Sequence, residues 1–322
     1  MTDGVRASIL VCTRNRADLL AGCLESILAD RSAVPRELIV VDNGSSDGTG
    51  DVVRRVVGDR PETPVRYVRE LRPGKSAALN TGVALTRGDF VLLTDDDVLV
   101  EDGWADALVS GFSGADVGGV AGRILPRWPS SPPRWMAGPH AERVTLPDFG
   151  TRPRLLESSE HPVGANLALR AELLRAGGDP FHPTLGPSGQ LKLDGEEFHL
   201  LRRVRARHRI AYRPEALVFH RILPDRMSWS SMRRAWFQGG FGIARSERLE
   251  RGTELSLPRR LVRSARTYAG ARRLRKRNEG LADPGPADAW EEFSAYAWAG
   301  THLELLFGRI PPLANWIAKR LA

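Results

Sequence analysis

The sequence predicts an α/β protein: a mostly parallel central sheet with helices on both faces, continued by a helical C-terminal extension. Three observations predict it. Short apolar runs alternate with amphipathic stretches through about the first hundred residues, the pattern of successive βαβ units. A chain of 322 residues that is 42% hydrophobic has enough apolar side chain to cover such a sheet. From residue 228 onward the pattern becomes helical and basic, which sets the remainder apart.

Residues 8–12 (SILVC) read as the first strand, and residues 17–29 as a helix whose Leu19, Leu20, Cys23, Leu24, Ile27 and Leu28 share a face. Residues 37–41 (ELIVV) form the second strand, followed by a polar turn and a helix around 51–57. A third strand at 65–68 precedes a helix at 75–85, started after Pro73 and Gly74, and residues 89–94 (DFVLLT) are the fourth strand. Strands this uniformly apolar are buried on both faces, as in parallel sheets. Six prolines between residues 125 and 150 forbid long helices and predict a surface loop or sheet edge. Beyond it, residues 167–175 and 196–206 read as helices, with short strands at 209–212 and 216–219. The run ADPGP at 282–286 breaks the helical part before a last apolar segment.

The formal net charge of +8 suits an anionic partner, but Arg and Lys crowd residues 259–277, which also reads as a solvated helix face. No aromatic-interleaved basic platform accompanies the charge, so nucleic acid is not expected as a partner. Cys12 and Cys23 are the only cysteines, giving neither a disulfide framework nor zinc-ligand spacing. With no signal-peptide pattern at the N-terminus and no apolar run of about 18 residues, the expected location is the cytoplasm.

In a parallel sheet ligands bind beyond the carboxyl ends of the strands, and four polar clusters fall there. Thr13, Arg14, Asn15 and Arg16 follow the first strand; Asp42 and Asn43 open the run DNGSSDG after the second; Arg72 to Lys75 precede the third helix; Asp95, Asp96 and Asp97 follow the fourth strand. The first three also read as turn and capping chemistry. Three adjacent carboxylates repel one another, and a divalent cation, Mg²⁺ or Mn²⁺, removes the conflict while keeping positions for phosphate oxygens. The alternative is a solvated acidic turn.

SILVCTRNR, ELIVVDNGSSDGT, RPGKSAALNTG, DFVLLTDDDV, GANLALR and DGEEFHLLRRV stand here in the order seen in family 2 glycosyltransferases, and the chain resembles that family over roughly residues 5–222. The resemblance implies the GT-A fold and an inverting enzyme that uses a nucleoside-diphosphate sugar, with a UDP-sugar favoured. It implies that Thr13, Arg14, Arg16, Asp42 and Asn43 bind the nucleotide, that Lys75 lies near base or phosphates, and that Asp95, Asp96 and Asp97 share ribose and metal contacts in a DXD-type site. Gly164 and Asn166 would line the sugar and acceptor side, and His220 would join Asp96 and Asp97 at the metal. Glu196 and Glu197 match a Glu-Asp pair whose second member is the catalytic base. Here that member is Glu197, one methylene longer, so Glu196 and Asp194 stand as alternatives. His220 also reads as a structural histidine after a strand, and the arginines of RRAWFQGG at 233–240 as either diphosphate neutralisers or a solvated helix.

The resulting domain expectation is a catalytic domain at 1–227, divided near residue 100 into nucleotide and acceptor halves, with a basic helical extension at 228–322. The acceptor, whether saccharide, lipid-linked or small molecule, is not specified by any motif. Two other classes compete: a sugar-phosphate nucleotidyltransferase, against which the first strand runs directly into Thr13 without a Gly-rich phosphate loop, and a non-catalytic nucleotide-sugar binder. The last apolar segment, with Tyr296, Trp298 and Trp316 and the break at Pro311 and Pro312, is expected as two short helices. They either complete the core or, with the basic stretch, attach the protein peripherally to an anionic membrane.

Overall fold

The computed structural model describes residues 5–58, 63–189, 191–251, 257–307 and 311–321. Its first elements are β1 (Ala7–Thr13), α1 (Ala17–Ala29), β2 (Arg36–Asp42), α2 (Thr49–Val57), β3 (Val65–Arg69), α3 (Lys75–Leu85) and β4 (Phe90–Asp95). They follow the sequence pattern to within about two residues. There follow β5 (Val98–Val100), α4 (Trp104–Ser110), β6 (Val117–Arg127), a short helix α5 (Glu142–Thr145), β7 (Arg154–Leu155), β8 (Leu167–Arg170) and α6 (Ala171–Arg175). The chain continues through β9 (Pro187–Ser188), β10 (Leu191–Lys192), α7 (Glu196–Arg205) and β11 (Arg209–Arg221), then α8 (Trp229–Arg251), α9 (Leu257–Glu279), α10 (Pro286–Phe307) and α11 (Pro311–Leu321).

The main sheet has the order β3-β2-β1-β4-β8-β6-β11-β5, with β7 beside β11. Strands β3, β2, β1 and β4 are parallel, β8 is antiparallel to both of its neighbours, and β5 is antiparallel to β11. Along β1, Ile9 and Val11 face a core shared with Leu20, Leu24 and Ile27 of α1, while Leu10 faces one shared with Ala78, Leu79 and Val83 of α3. This period of two is what a strand covered on both faces requires.

Three expectations are corrected. Residues 167–175 are half strand and half helix, because the short run Leu167–Arg170 completes ladders on both sides, to β4 and β6. The two short strands at 209–219 are one strand, β11, whose register shifts between Arg213 and Leu217 and so resembles a gap in sequence. The proline-rich stretch does lack long helices, but it is not simply surface: Trp135, Met136 and Val144 are buried with Met232 and Phe293.

The chain forms two compact units, each discontinuous in sequence. One comprises Met1–Arg127, Leu146–Pro183 and Leu200–Arg221; the other comprises Trp128–Thr145, Thr184–His199 and Ile222–Ala322. The single division expected at 227/228 is therefore not the one the packing makes, since apolar side chains of 128–145 and Leu193 join the C-terminal helices.

Glu37 is the one carboxylate in the ELIVV strand, and it is fully buried. It accepts hydrogen bonds from the Ser8 hydroxyl at 2.7 Å, the Arg87 backbone N–H at 2.8 Å and the Arg66 guanidinium at 2.8 Å. Burial alone would raise its pKa, but these donors together hold it below the usual carboxylate range. Its folded pKa being depressed, the stability it contributes is present above the unfolded value and is lost as pH falls through the folded one. Glu37→Ala is expected to cost about 1–3 kcal/mol at neutral pH, by analogy with other buried hydrogen-bonded groups, and to flatten the acid limb of the pH–stability curve. Urea unfolding across that limb measures both.

In the second unit α8 and α10 approach closely at two glycines. A Cβ on Gly240 would sit 2.0 Å from the Ala297 carbonyl oxygen, and one on Gly300 would sit 2.0 Å from that of Phe237. Both contacts are with backbone, which cannot swing aside. Gly270 on α9 has open space around the same position. Thermal unfolding should show Gly300→Ala destabilising the protein by about 1–3 kcal/mol or more through overpacking. Gly270→Ala should stabilise it by about 0.5–1 kcal/mol through helix propensity.

Candidate functional site

The parallel register of β1, β2 and β4 brings their carboxyl ends together: Thr13 lies beside Asp42, and Cys12 beside Asp95. Beyond β4 the chain turns through Asp96 and Asp97 and enters β5, which pairs with β11 so that His220 lies beside Val98. Residues some 80 to 200 positions apart thus meet on one edge of the sheet.

The aspartates are buried, with Asp96 at 4% and Asp97 at 3% exposure. Arg16 lies against both: one guanidinium nitrogen donates to Asp96 Oδ1 at 2.7 Å and to Asp97 Oδ2 at 3.0 Å. The Thr13 hydroxyl donates to the other Asp96 oxygen at 2.7 Å. Burial pushes the Asp96 carboxyl up to about 6, with Arg16 opposing the rise and Asp97 adding to it. Asp95 points elsewhere and pairs with Lys75 at 3.0 Å. His220 Nε2 is 3.5 Å from Asp97 Oδ1, and its Nδ1 is buried with no hydrogen-bond partner among the described residues.

Asp42 and Asn43 are committed to the loops. Asp42 accepts from the Ser45 N–H at 2.7 Å and the Tyr67 hydroxyl at 2.6 Å. Burial and this contact raise the Tyr67 pKa to about 12. The Asn43 amide donates to the Glu70 and Arg72 carbonyls at 3.1 and 2.7 Å and accepts from the Gly74 N–H at 2.8 Å, which fixes the turn leading into Lys75. Arg14 is exposed. Gly164 and Asn166 form a buried turn before β8. The Asn166 amide accepts from the Trp104 indole at 2.8 Å and donates to the Arg123 and Ala216 carbonyls at 2.9 and 2.7 Å. It therefore clips β6, β11 and α4 together.

Glu196, Glu197 and Asp194 belong to the second unit. Glu196 and Glu197 occupy the first turn of α7, Glu196 at 2% exposure and Glu197 half-buried. Asp194 is ion-paired with Arg143. Arg233, read as a diphosphate neutraliser or a solvated residue, pairs instead with the buried Glu292.

Sequence reading missed Arg221 and Tyr67. The Arg221 guanidinium donates to the Leu19 carbonyl and, at 3.2 Å, to that of Asp96, so it braces the acidic turn from behind. Only the antiparallel pairing of β5 with β11 brings it there, and no local motif signals that pairing. Tyr67 had a weak signal, as the central residue of the alternating strand VRYVR.

Among the described residues no group of three or more His, Cys, Asp and Glu side chains assembles a metal cage. Asp97 with His220 is a smaller donor set, one carboxylate and one imidazole. Mg²⁺ and Mn²⁺ accept such a set when substrate phosphates complete their coordination. Both aspartates already engage protein donors, Asp96 through Thr13 and Arg16 and Asp97 through Arg16.

The profile of "Glycosyl transferase family 2" matches residues 8–178. AglE, a glycosyltransferase of Haloferax volcanii, is 26% identical over 200 residues, which cover 61% of this chain and 60% of that protein. The chain thus spans less than two thirds of that relative. Among solved structures, the mannosyltransferase PcManGT from Pyrobaculum calidifontis, in complex with GDP-Man and Mn²⁺, superposes with a TM-score of 0.51 at 21% identity, covering 98% of this chain and 79% of that one. GalNAc-T7 with UDP, GalNAc and Mn²⁺ gives 0.54 at 14% identity, covering 96% and 57%. At these identities the likeness concerns the fold, which is GT-A. Because the family profile spans more than half of the 322 residues, the chain belongs to glycosyl transferase family 2.

Proposed function

We propose that the protein transfers a sugar from a nucleoside-diphosphate sugar, with a UDP-sugar favoured, to an acceptor hydroxyl with inversion. The observation that carries this reading is the buried Asp96–Asp97 turn, held by Thr13 and Arg16 beside His220, at the strand ends of a family 2 chain. Two solved structures of the same fold are complexes with nucleotide or nucleotide sugar and Mn²⁺, which supports a divalent cation here.

In this reading Asp96, Asp97 and His220 would hold Mg²⁺ or Mn²⁺, which would supply positive charge against the departing diphosphate. Arg16 and Lys75 add positive charge on the same sheet edge. Asp42 and Asn43 act by shaping the nucleoside loops, and Asn166 by fixing the sheet behind the sugar side. Glu197 takes the proton from the attacking acceptor hydroxyl, a contribution of about 10²–10⁴-fold. Saccharides, lipid-linked sugars and small molecules all supply such a hydroxyl. Among the described residues no helix is long and apolar enough to cross a membrane.

Thermal-shift screening of nucleotide sugars with Mn²⁺ identifies the donor, because a ligand that binds the folded state stabilises it by mass action. With that donor, EDTA should abolish transfer and added Mn²⁺ restore it. Asp97→Ala should lower kcat/KM by about a hundredfold or more, the scale of losing one electrostatic contact to the leaving group. Full activity in EDTA overturns the metal-dependent mechanism.

Glu197→Gln keeps the side-chain shape but cannot accept a proton. It should lower kcat by about 10²–10⁴-fold while leaving donor affinity unchanged in calorimetry. If Glu196→Gln is the crippling change, the base is the neighbouring residue. If neither matters, the assignment to this helix turn fails.

A further inference from the structure

The C-terminal helices carry all three exposed tryptophans among the described residues, Trp290, Trp298 and Trp316, at 45%, 57% and 53% exposure. Beside them runs α9, whose side chains are described from Ser264 onward. Ser264, Ala271 and Asn278 form its buried stripe. Of its cations, Arg275 pairs with Glu279, and Arg277 pairs with Asp288 and Glu291. Arg266, Arg272, Arg273 and Lys276 are exposed, with no acidic partner among the described residues.

Helix geometry places a tryptophan and two of these cations on one flank. Helices α9 and α10 run antiparallel, as the pairs Arg277–Glu291 and Ser264–His302 show. On α10, Glu291, Trp298 and His302 share a face by their spacing of seven and four, and the Trp298 ring stacks on His302 with centroids 5.8 Å apart. On α9, Arg266, Arg273 and Arg277 share a face by the same spacing. Since Glu291 meets Arg277, Trp298 stands on the flank that Arg273 and Arg266 also line.

We propose that this flank is a peripheral docking surface for a membrane rich in anionic lipid. Indole rings settle at the headgroup boundary, and unpaired guanidinium and ammonium groups are drawn to anionic headgroups. Charge complementarity selects that occupant: Arg266 and Arg273 on this flank are exposed with no acidic partner among the described residues, whereas Arg275 and Arg277 are paired. The proposal does not depend on the glycosyltransferase reading.

The 322-residue protein is sedimented with vesicles of phosphatidylcholine alone and of phosphatidylcholine with phosphatidylglycerol, at low and high salt. The expected result is binding to the anionic vesicles at low salt, lost at high salt and without phosphatidylglycerol. Arg266→Gln and Arg273→Gln should each weaken partitioning about fivefold, and Trp298→Ser should weaken it further. Circular dichroism confirms that the variants fold, and donor turnover on the same samples stays unchanged. Absence of binding at low salt overturns the proposal, as does binding that these substitutions leave intact. A dimer in sedimentation equilibrium that Trp298→Ser dissociates, without vesicle binding, overturns it in favour of a contact between copies.

Discussion

Two adjacent buried carboxylates cannot both stay charged without a cation, and this one constraint organises the sheet edge. At about 4 Å in a protein-like medium, two such charges interact by about 4 kcal/mol. Arg16 answers the conflict between Asp96 and Asp97 by donating to both, and Thr13 and the Arg221 guanidinium satisfy the oxygens around them. The loop after β1 must therefore hold Arg16 inward, just before α1 begins at Ala17. Under the proposed function a cation there would meet a pair that Arg16 already neutralises in part.

The same edge shows which layer of the site a linear reading reaches. The strands β1 to β4 and the helices α1 and α3 were legible because their periodicity is local: a buried strand and an amphipathic helix each declare themselves within about a dozen residues. Thr13, Arg16 and the acidic triplet were legible for a related reason, since they immediately follow such strands. Residues whose role depends on a distant partner were not. Leu167–Arg170 becomes a strand only because β4 and β6 lie on either side of it, and Arg221 reaches the turn only through the pairing of β11 with β5. Asn43 and Asn166 were singled out as nucleotide and sugar contacts, and their amides are spent on carbonyls from other segments. A polar residue after a strand can equally face a ligand or fasten the loops that do.

Charge in the C-terminal part was misleading in a similar way. Arg233 also reads as a solvated residue, yet Arg233, Arg245 and Arg248 are counter-ions to Glu292 and Glu304, both fully buried. Arg245 reaches Glu304 at 3.1 Å and the Asn315 side chain at 2.8 Å, tying α8 to α10 and α11. Buried ion pairs of this kind fix the register of packed helices more than they add stability. The surplus positive charge of the second unit is thereby concentrated on α9, where acids are few.

The base is the point at which the family pattern and this chain part, and the local packing bears on it. Asp194 is held by Arg143, whose guanidinium also donates to the Ala235 carbonyl at 3.0 Å, so its carboxylate has a structural task within the second unit. Glu196 is turned inward at 2% exposure, where an acceptor hydroxyl has no room to approach. Glu197, on the next position of the same helical turn, is half-buried and so keeps part of its surface open. A glutamate in place of an aspartate carries its carboxylate one methylene farther from the backbone. The acceptor hydroxyl would then sit correspondingly farther from α7, a difference that bears on which acceptors fit.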